Sequence, residues 1–444
     1  MEKDNDYKAE IVEKELPNLD IWPKKAKIIL GIIISIAVLL LIALIIVIVY
    51  YQKKLSNNSS KDDKIQPEPS PIPTPSPYPS PTTNQSINTY SFFGDALYNL
   101  TYDDDGKIEN SFKIDGYNHI EGVDSINDNK DYEKNERNIY DLYIPQYAMD
   151  RMNDYNGIVL WIHGGGWISG NKEVMDIFCK LISSQGYISA TMGYTLLTPQ
   201  FKEFNIFKNM DEITACIKAI KNKLVTLGFN ENKLYLAIGG YSAGAHLTLL
   251  YSYLNSNIDI IPLKFIVDFV GPIGLYPKYF YKLKSKNETL PNIEDVSTIE
   301  KAMDKGTIIP IYKEVVALQL MNLFLGNKFT DSINEMIFPN KTINYENEKF
   351  KEMFKIAKNA FITENVDKNH IPTICIYGGT DDVVGVSTFS YLKQKMDLDE
   401  RKYDFIYSRY EGHMLIIPNT PDGQQKVRET MSKITQYLKN YFGY

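Results

Sequence analysis

Three short stretches of the chain carry residue types that together can make and break an acyl bond. The first, GYSAG at 240–244, sets Ser242 between glycines, after the strand-like run LYLAI and before an apolar run of helical length. Glycines on either side of a serine permit a tight strand-to-helix turn that lifts the hydroxyl clear of its neighbours, and this setting turns a common GxSxG pattern into a candidate nucleophile. The second, WIHGGGW at 161–167, follows another strand-like run with Gly164, Gly165 and Gly166 in succession. A glycine loses more backbone freedom on folding than any other residue. Three in a row therefore point to backbone that must itself be presented, here as N–H groups facing an anion. Ala243, the residue after the serine, is the expected further donor.

A serine hydroxyl is a poor nucleophile until a base stands within hydrogen-bond reach, held in turn by a third group. The chain offers five histidines. His119 precedes the sheet, His163 opens the glycine run, and His370 sits before a strand. His246 lies one helical turn beyond Ser242 and points away along its helix. His413, in RYEGHMLII, follows a strand candidate and begins a loop from which a base can reach across the sheet edge. The acid belongs at the end of the preceding strand, where ICIYGGTDDVV supplies Asp381 and Asp382. Adjacent residues cannot both face one imidazole. Asp381, three residues after Gly378 and two before the pair Val383 and Val384, is the preferred partner, with Asp382 left as a turn residue. The chain order is then serine, aspartate, histidine.

These residues need a scaffold that brings strand ends together. Strand-like segments at 139–144, 158–162, 187–192, 234–238, 265–270, 373–377 and 403–407 alternate with segments of helical period, the pattern of a mostly parallel α/β sheet flanked by helices. In the segment 209–227, Ile213, Ile217, Ile220 and Leu224 recur at helical spacing and make one buried stripe. Helices are likewise expected over 243–255, 387–396 and 424–441. Residues 276–369 break the alternation with mixed, tyrosine-bearing sequence, and are expected to form a lid or cap inserted over the sheet.

The N-terminal part reads differently. After a short tail, 1–27, residues 28–51 run for 24 positions without a charge, longer than the roughly 20 needed to cross a bilayer. The stretch passes into YYQKKLSNN with no small-residue cleavage site, so a single uncleaved transmembrane helix is expected. Five lysines precede it and four follow within 20 residues, a slight lean toward a cytoplasmic N-terminus. Within the linker 52–90, PEPSPIPTPSPYPSP at 67–81 has proline at every second position. That favours an extended rod of roughly 45 Å, a stalk holding an extracytoplasmic domain, 91–444, off a membrane surface. A net charge of −7 argues against a nucleic-acid partner. Three scattered cysteines, Cys179, Cys216 and Cys375, are too few for a disulfide framework or a zinc site.

Taken together, YDLYIP at 140–145, HGGGW at 163–167, GYSAGAH at 240–246, YGGTDDVV at 377–384 and EGHM at 411–414 resemble the α/β-hydrolase carboxylesterase/lipase group that includes hormone-sensitive-lipase-like and BD-FAE enzymes. The resemblance implies an α/β-hydrolase fold, Ser242, Asp381 and His413 as a catalytic triad, and Gly165, Gly166 and Ala243 as oxyanion-hole donors. It implies a bracing role for His163 and a structural one for Trp167. The chain departs from it in having Tyr241 where Asp or His is common, and in the length of the insertion. The activity implied is that of a membrane-anchored serine carboxylic ester hydrolase, using no metal or organic cofactor and acting on small-molecule or glycan-linked esters. The rival readings are a catalytically inactive hydrolase fold used for adhesion, and an amidase or formamidase on the same scaffold.

Overall fold

The segment NGIVLWI reads as an apolar run because it lies at the middle of a sheet covered on both faces. It forms β3, Asn156–Ile162, with every residue buried. The structure, a computed structural model, describes residues 101–102, 108–109, 117–124 and 137–443 except 202, 255–259, 286–287, 290, 293–294, 366–370, 399–401, 410 and 416–420. The sheet has eight strands. They are β1 (Tyr117–Asp124), β2 (Ile139–Pro145), β3, β4 (Ile188–Met192), β5 (Leu234–Tyr241), β6 (Leu263–Phe269), β7 (Thr373–Gly378) and β8 (Tyr403–Ser408). Their spatial order is β1-β2-β4-β3-β5-β6-β7-β8. β2 pairs antiparallel with β1 and β4, and every other neighbouring pair is parallel.

The seven expected strands all form, with ends shifted by one to three residues. β1 was not foreseen, and His119, expected ahead of the sheet, lies within it. The apolar stretch 28–51, the proline-rich segment and His370 lie outside the described residues. Among the described residues, no helix is long and apolar enough to cross a membrane.

The helices follow the pattern of the apolar positions. α1 (Asp176–Ser184), nine residues long, was missed because so short a segment carries barely two turns of periodicity. α2 (Ile206–Thr226) buries Ile213, Ile217, Ile220 and Leu224 as their spacing requires. It starts where the Asn205 side chain accepts a hydrogen bond from the Lys208 N–H at 2.9 Å, satisfying one of the free donors of the first turn. α3 (Ala243–Leu254) follows Ser242 directly and is buried on nearly all sides. Residues 276–369 contain a two-stranded antiparallel ribbon, Tyr281–Leu283 with Ile308–Pro310, and the helices α4 (Val296–Asp304), α5 (Glu314–Phe324) and α6 (Glu348–Ala357). The insertion is tied back to the loop after β6 by a hydrogen bond from Ile362 N–H to the Ile273 carbonyl at 2.7 Å. α7 (Val386–Leu398) and α8 (Pro421–Phe442) complete the chain.

Two close approaches set the sheet against its helices near the motifs. Gly239 faces Trp161 across β5 and β3, and a methyl group there would lie 2.2 Å from the indole, so the glycine makes room for the largest buried side chain of the core. Gly244, in the first turn of α3, lies so near β3 that a Cβ would sit 2.1 Å from the Ile162 carbonyl oxygen. Backbone on both sides leaves little room to yield. Gly244→Ala should therefore destabilise the protein by about 2–4 kcal/mol, read as a lower midpoint in thermal unfolding. An unchanged midpoint would contradict this packing of α3 on β3.

Candidate active site

Ser242 sits at the turn from β5 into α3 with a left-handed backbone, φ +54°. That conformation is unfavourable for a side-chain-bearing residue by about 1–2 kcal/mol. It is held from both directions: Ser242 N–H donates to the Phe269 carbonyl at 2.8 Å, and the Ser242 carbonyl accepts from His246 N–H at 3.1 Å. Trp167, φ +64°, and Val270, φ +50°, are also left-handed. Three of the five left-handed non-glycine residues among the described residues thus follow β3, β5 and β6, and the other two, Asn327 and Lys341, lie in the insertion.

The hydroxyl of Ser242 meets His413 Nε2 at 3.0 Å, and His413 Nδ1 meets Asp381 Oδ2 at 2.9 Å. A carboxylate oxygen only accepts, so Nδ1 carries the proton and Nε2 presents its lone pair to the serine. The other carboxylate oxygen of Asp381 accepts from Val383 N–H and Val384 N–H at 2.8 and 2.9 Å. Asp381 is therefore fixed at both oxygens and is buried, whereas Asp382 is exposed at the turn. Among the described histidines other than His413, His163 and His246 both point into other contacts, as the sequence suggested for each.

The glycine run lies against this serine. A Cβ on Gly164 would be 2.8 Å from the Tyr241 carbonyl oxygen and 3.2 Å from Ser242 Cβ. The carbonyl of Gly165, φ +121°, accepts from Ile168 N–H, Ser169 N–H and Ser169 Oγ at 2.9–3.2 Å. Gly166, φ +59°, has open space where a side chain would be. Among the described residues, the N–H groups of Gly165, Gly166 and Ala243 have no protein acceptor.

Two neutral histidines brace the loop and the turn, and each is locked in one tautomer by a carbonyl. His163 Nδ1 donates to the Gly164 carbonyl at 2.7 Å, which leaves Nε2 to accept from Arg137 Nη2 at 3.3 Å. Its ring stacks on Tyr194 at 4.3 Å. His246 Nε2 donates to the Ala360 carbonyl at 2.8 Å, so Nδ1 accepts from Trp167 Nε1–H at 3.3 Å. Phe324 of α5 packs against both rings, 4.9 Å from Trp167 and 5.5 Å from His246. His246 thereby joins the glycine loop, the serine's helix and the insertion. Burial lowers both imidazoles from 6.5 to about 4, in His163 with a smaller push from Arg137, and in each against a backbone hydrogen bond that raises it.

Sequence reasoning missed several of these supports. Tyr241 donates its hydroxyl proton to the His413 carbonyl and sets its ring edge-on to that imidazole at 5.6 Å. Tyr312 of the insertion donates to the Val383 carbonyl at 3.0 Å, bracing the turn that carries Asp381. The departure of Tyr241 from the usual elbow residue was the available signal; nothing local marked Tyr312 or Arg137.

The strand order, the antiparallel second strand and the serine turn after β5 define an α/β-hydrolase fold. Within it, residues 140–306 match the model of the BD-FAE family, in keeping with the resemblance carried by HGGGW and GxSxG; the segments bearing Asp381 and His413 lie beyond the matched stretch. No functionally curated protein is similar to the chain in sequence. Solved structures similar to it include an inhibited esterase B from Lactobacillus rhamnosis, at 15% identity over 79% of this chain and 93% of that one, with a TM-score of 0.48. A bacterial heroin esterase is similar at 16% identity over 78% and 89%, TM-score 0.47. A hyperthermophilic esterase from the archaeon Pyrobaculum calidifontis is similar at 15% over 78% and 90%, TM-score 0.45.

The lowered imidazoles make stability depend on pH. A histidine that resists protonation when folded contributes fully above 6.5, and that contribution is lost as pH falls toward about 4. Asp268, buried on β6 and raised from 3.8 to about 7 by desolvation, runs the other way: its contribution is complete at low pH and is lost as pH rises toward 7. Comparing wild type with His246→Gln removes the shared Asp268 effect. The stability of wild type relative to the variant should drop by on the order of 2 kcal/mol between pH 7 and pH 5, measured by urea unfolding. Parallel profiles would show that His246 is not held neutral.

Proposed function

We propose that the protein is a serine carboxylic ester hydrolase that works through an acyl-enzyme. The observation that carries this reading is the continuous hydrogen-bonded series Asp381, His413, Ser242, lying beside a glycine loop whose Gly165 and Gly166 N–H groups have no acceptor among the described residues. Ser242 Oγ attacks the ester carbonyl as His413 Nε2 takes its proton. The oxygen that becomes negative is received by the N–H groups of Gly165, Gly166 and Ala243, each worth about 3–4 kcal/mol of the barrier. Collapse of the tetrahedral species breaks the bond to the alcohol, which leaves with the proton from Nε2. Water then attacks the acyl-serine with Nε2 again as base, releasing the acid and restoring the serine. Asp381 keeps the Nδ1 proton in place and offsets the charge of the imidazolium. The substrates of this reading are small-molecule or glycan-linked esters.

The uncharged stretch 28–51 and the proline-rich segment after it support a membrane-tethered enzyme with its catalytic domain outside the cytoplasm. Protease added to intact cells should then cleave the domain from its anchor, whereas full protection would place it inside.

Hydrolysis of p-nitrophenyl acetate tests the reaction. Wild type should turn over and be labelled by a fluorophosphonate, and Ser242→Ala should lose at least about 10,000-fold in kcat and all labelling. Equal inactivity of both would favour a non-catalytic adhesion role, and turnover of N-formyl substrates in preference to esters would favour an amidase. The acid is tested separately. Asp381→Asn should reduce kcat by about three to four orders of magnitude through a misplaced tautomer, and Asp382→Asn should stay within about twofold of wild type.

A further inference from the structure

His413 is followed by a methionine whose position sets it apart from the others in the chain. Met414 is 52% exposed, whereas every other described methionine is buried or half-buried. Its sulfur lies 3.5 Å from the Tyr241 hydroxyl. That hydroxyl has a single proton, and it donates this proton to the His413 carbonyl. Burial raises the Tyr241 phenol, so the proton is retained across the ordinary pH range. A thioether sulfur is a weak acceptor and competes poorly for it. The segment is also held by the hydrogen bond from Thr380 N–H to the Glu411 carbonyl at 3.0 Å and by the contacts of the imidazole with Asp381 and Ser242.

We propose that Met414 is an oxidation site through which peroxide weakens the hold on His413 and slows the enzyme. The proposal rests on the hydrolase reading above. In the step itself, a sulfur lone pair attacks one oxygen of hydrogen peroxide. The O–O bond breaks as the S–O bond forms, and the departing hydroxide takes up the remaining peroxide proton and leaves as water. Sulfur is oxidised by two electrons to the sulfoxide and the peroxide is reduced by two. The new oxygen is a strong acceptor, one bond from a sulfur already in contact with the Tyr241 hydroxyl. It draws the proton away from the His413 carbonyl. The backbone of the base then loses its tie to the serine's own turn, and the 3.0 Å approach of Nε2 to Oγ is less firmly kept. Other thiols and thioethers in the described region are poor competitors for the oxidant: Cys179, Cys216 and Cys375 are buried, and every other described methionine is buried or half-buried.

The test treats the full chain with low doses of hydrogen peroxide and follows both chemistry and rate. Peptide mass spectrometry reports the gain of one oxygen at each methionine, and p-nitrophenyl acetate turnover reports kcat and KM. In wild type, kcat should fall about threefold to tenfold in proportion to Met414 oxidation, the worth of one neutral hydrogen bond, while KM changes less. Met414→Leu and Tyr241→Phe, each compared with its own untreated sample, should be indifferent to the same dose. The inference fails if Met414 is fully oxidised with kcat unchanged, or if Met414→Leu loses as much rate as wild type. It also fails if Met414 stays reduced at a dose that oxidises the half-buried Met149 or Met152. An untreated wild type with neither turnover nor fluorophosphonate labelling is a different failure, which sinks the hydrolase reading itself.

Discussion

The left-handed backbone of Ser242 is the constraint around which the rest of the site is arranged. A serine does not adopt φ +54° on its own account, so the surrounding chain must over-determine it. β6 does so by offering the Phe269 carbonyl to the Ser242 N–H, and α3 does so by returning the His246 N–H to the Ser242 carbonyl. Because Gly244 lets α3 rest directly on β3, the glycine loop that continues β3 arrives within van der Waals distance of the serine. The turn that lifts the hydroxyl and the loop that lies beside it therefore share one packing solution.

Around that turn, polarity is sorted by exposure. His163 and His246 are sealed and neutral, each with a carbonyl dictating which nitrogen bears hydrogen. His413 keeps a partly open side chain, 15% exposed, with a carboxylate on one nitrogen and a hydroxyl on the other. The same residue type is thus sealed between a backbone carbonyl and a donating side chain in two places and left partly open between a carboxylate and a hydroxyl in the third.

The sheet was legible from sequence because parallel strands covered on both faces leave near-continuous apolar runs, such as NGIVLWI, that tolerate little else. That Ser242, His413 and Asp381 meet was legible for a related reason: each follows a strand end in a stretch whose glycines or turn residues have no use in a core. β1 escaped notice because an antiparallel edge strand carries no such run. The cross-chain supports were hidden for a different reason. Tyr241, Trp167 and Tyr312 act through partners 172, 79 and 71 residues away, and no local pattern announces which phenol or indole will find which acceptor. The ribbon Tyr281–Leu283 with Ile308–Pro310 pairs two short segments 25 or more residues apart, and so short a strand carries no alternation to read.

The bridge made by His246 ties the insertion to the end of the glycine run. Ala360 contributes only a carbonyl and Phe324 only a ring face, yet both bear on the indole that terminates the glycine run. Replacing the insertion with foreign sequence would accordingly have to reproduce those two footholds. A replacement lacking them would loosen the end of the glycine run as well.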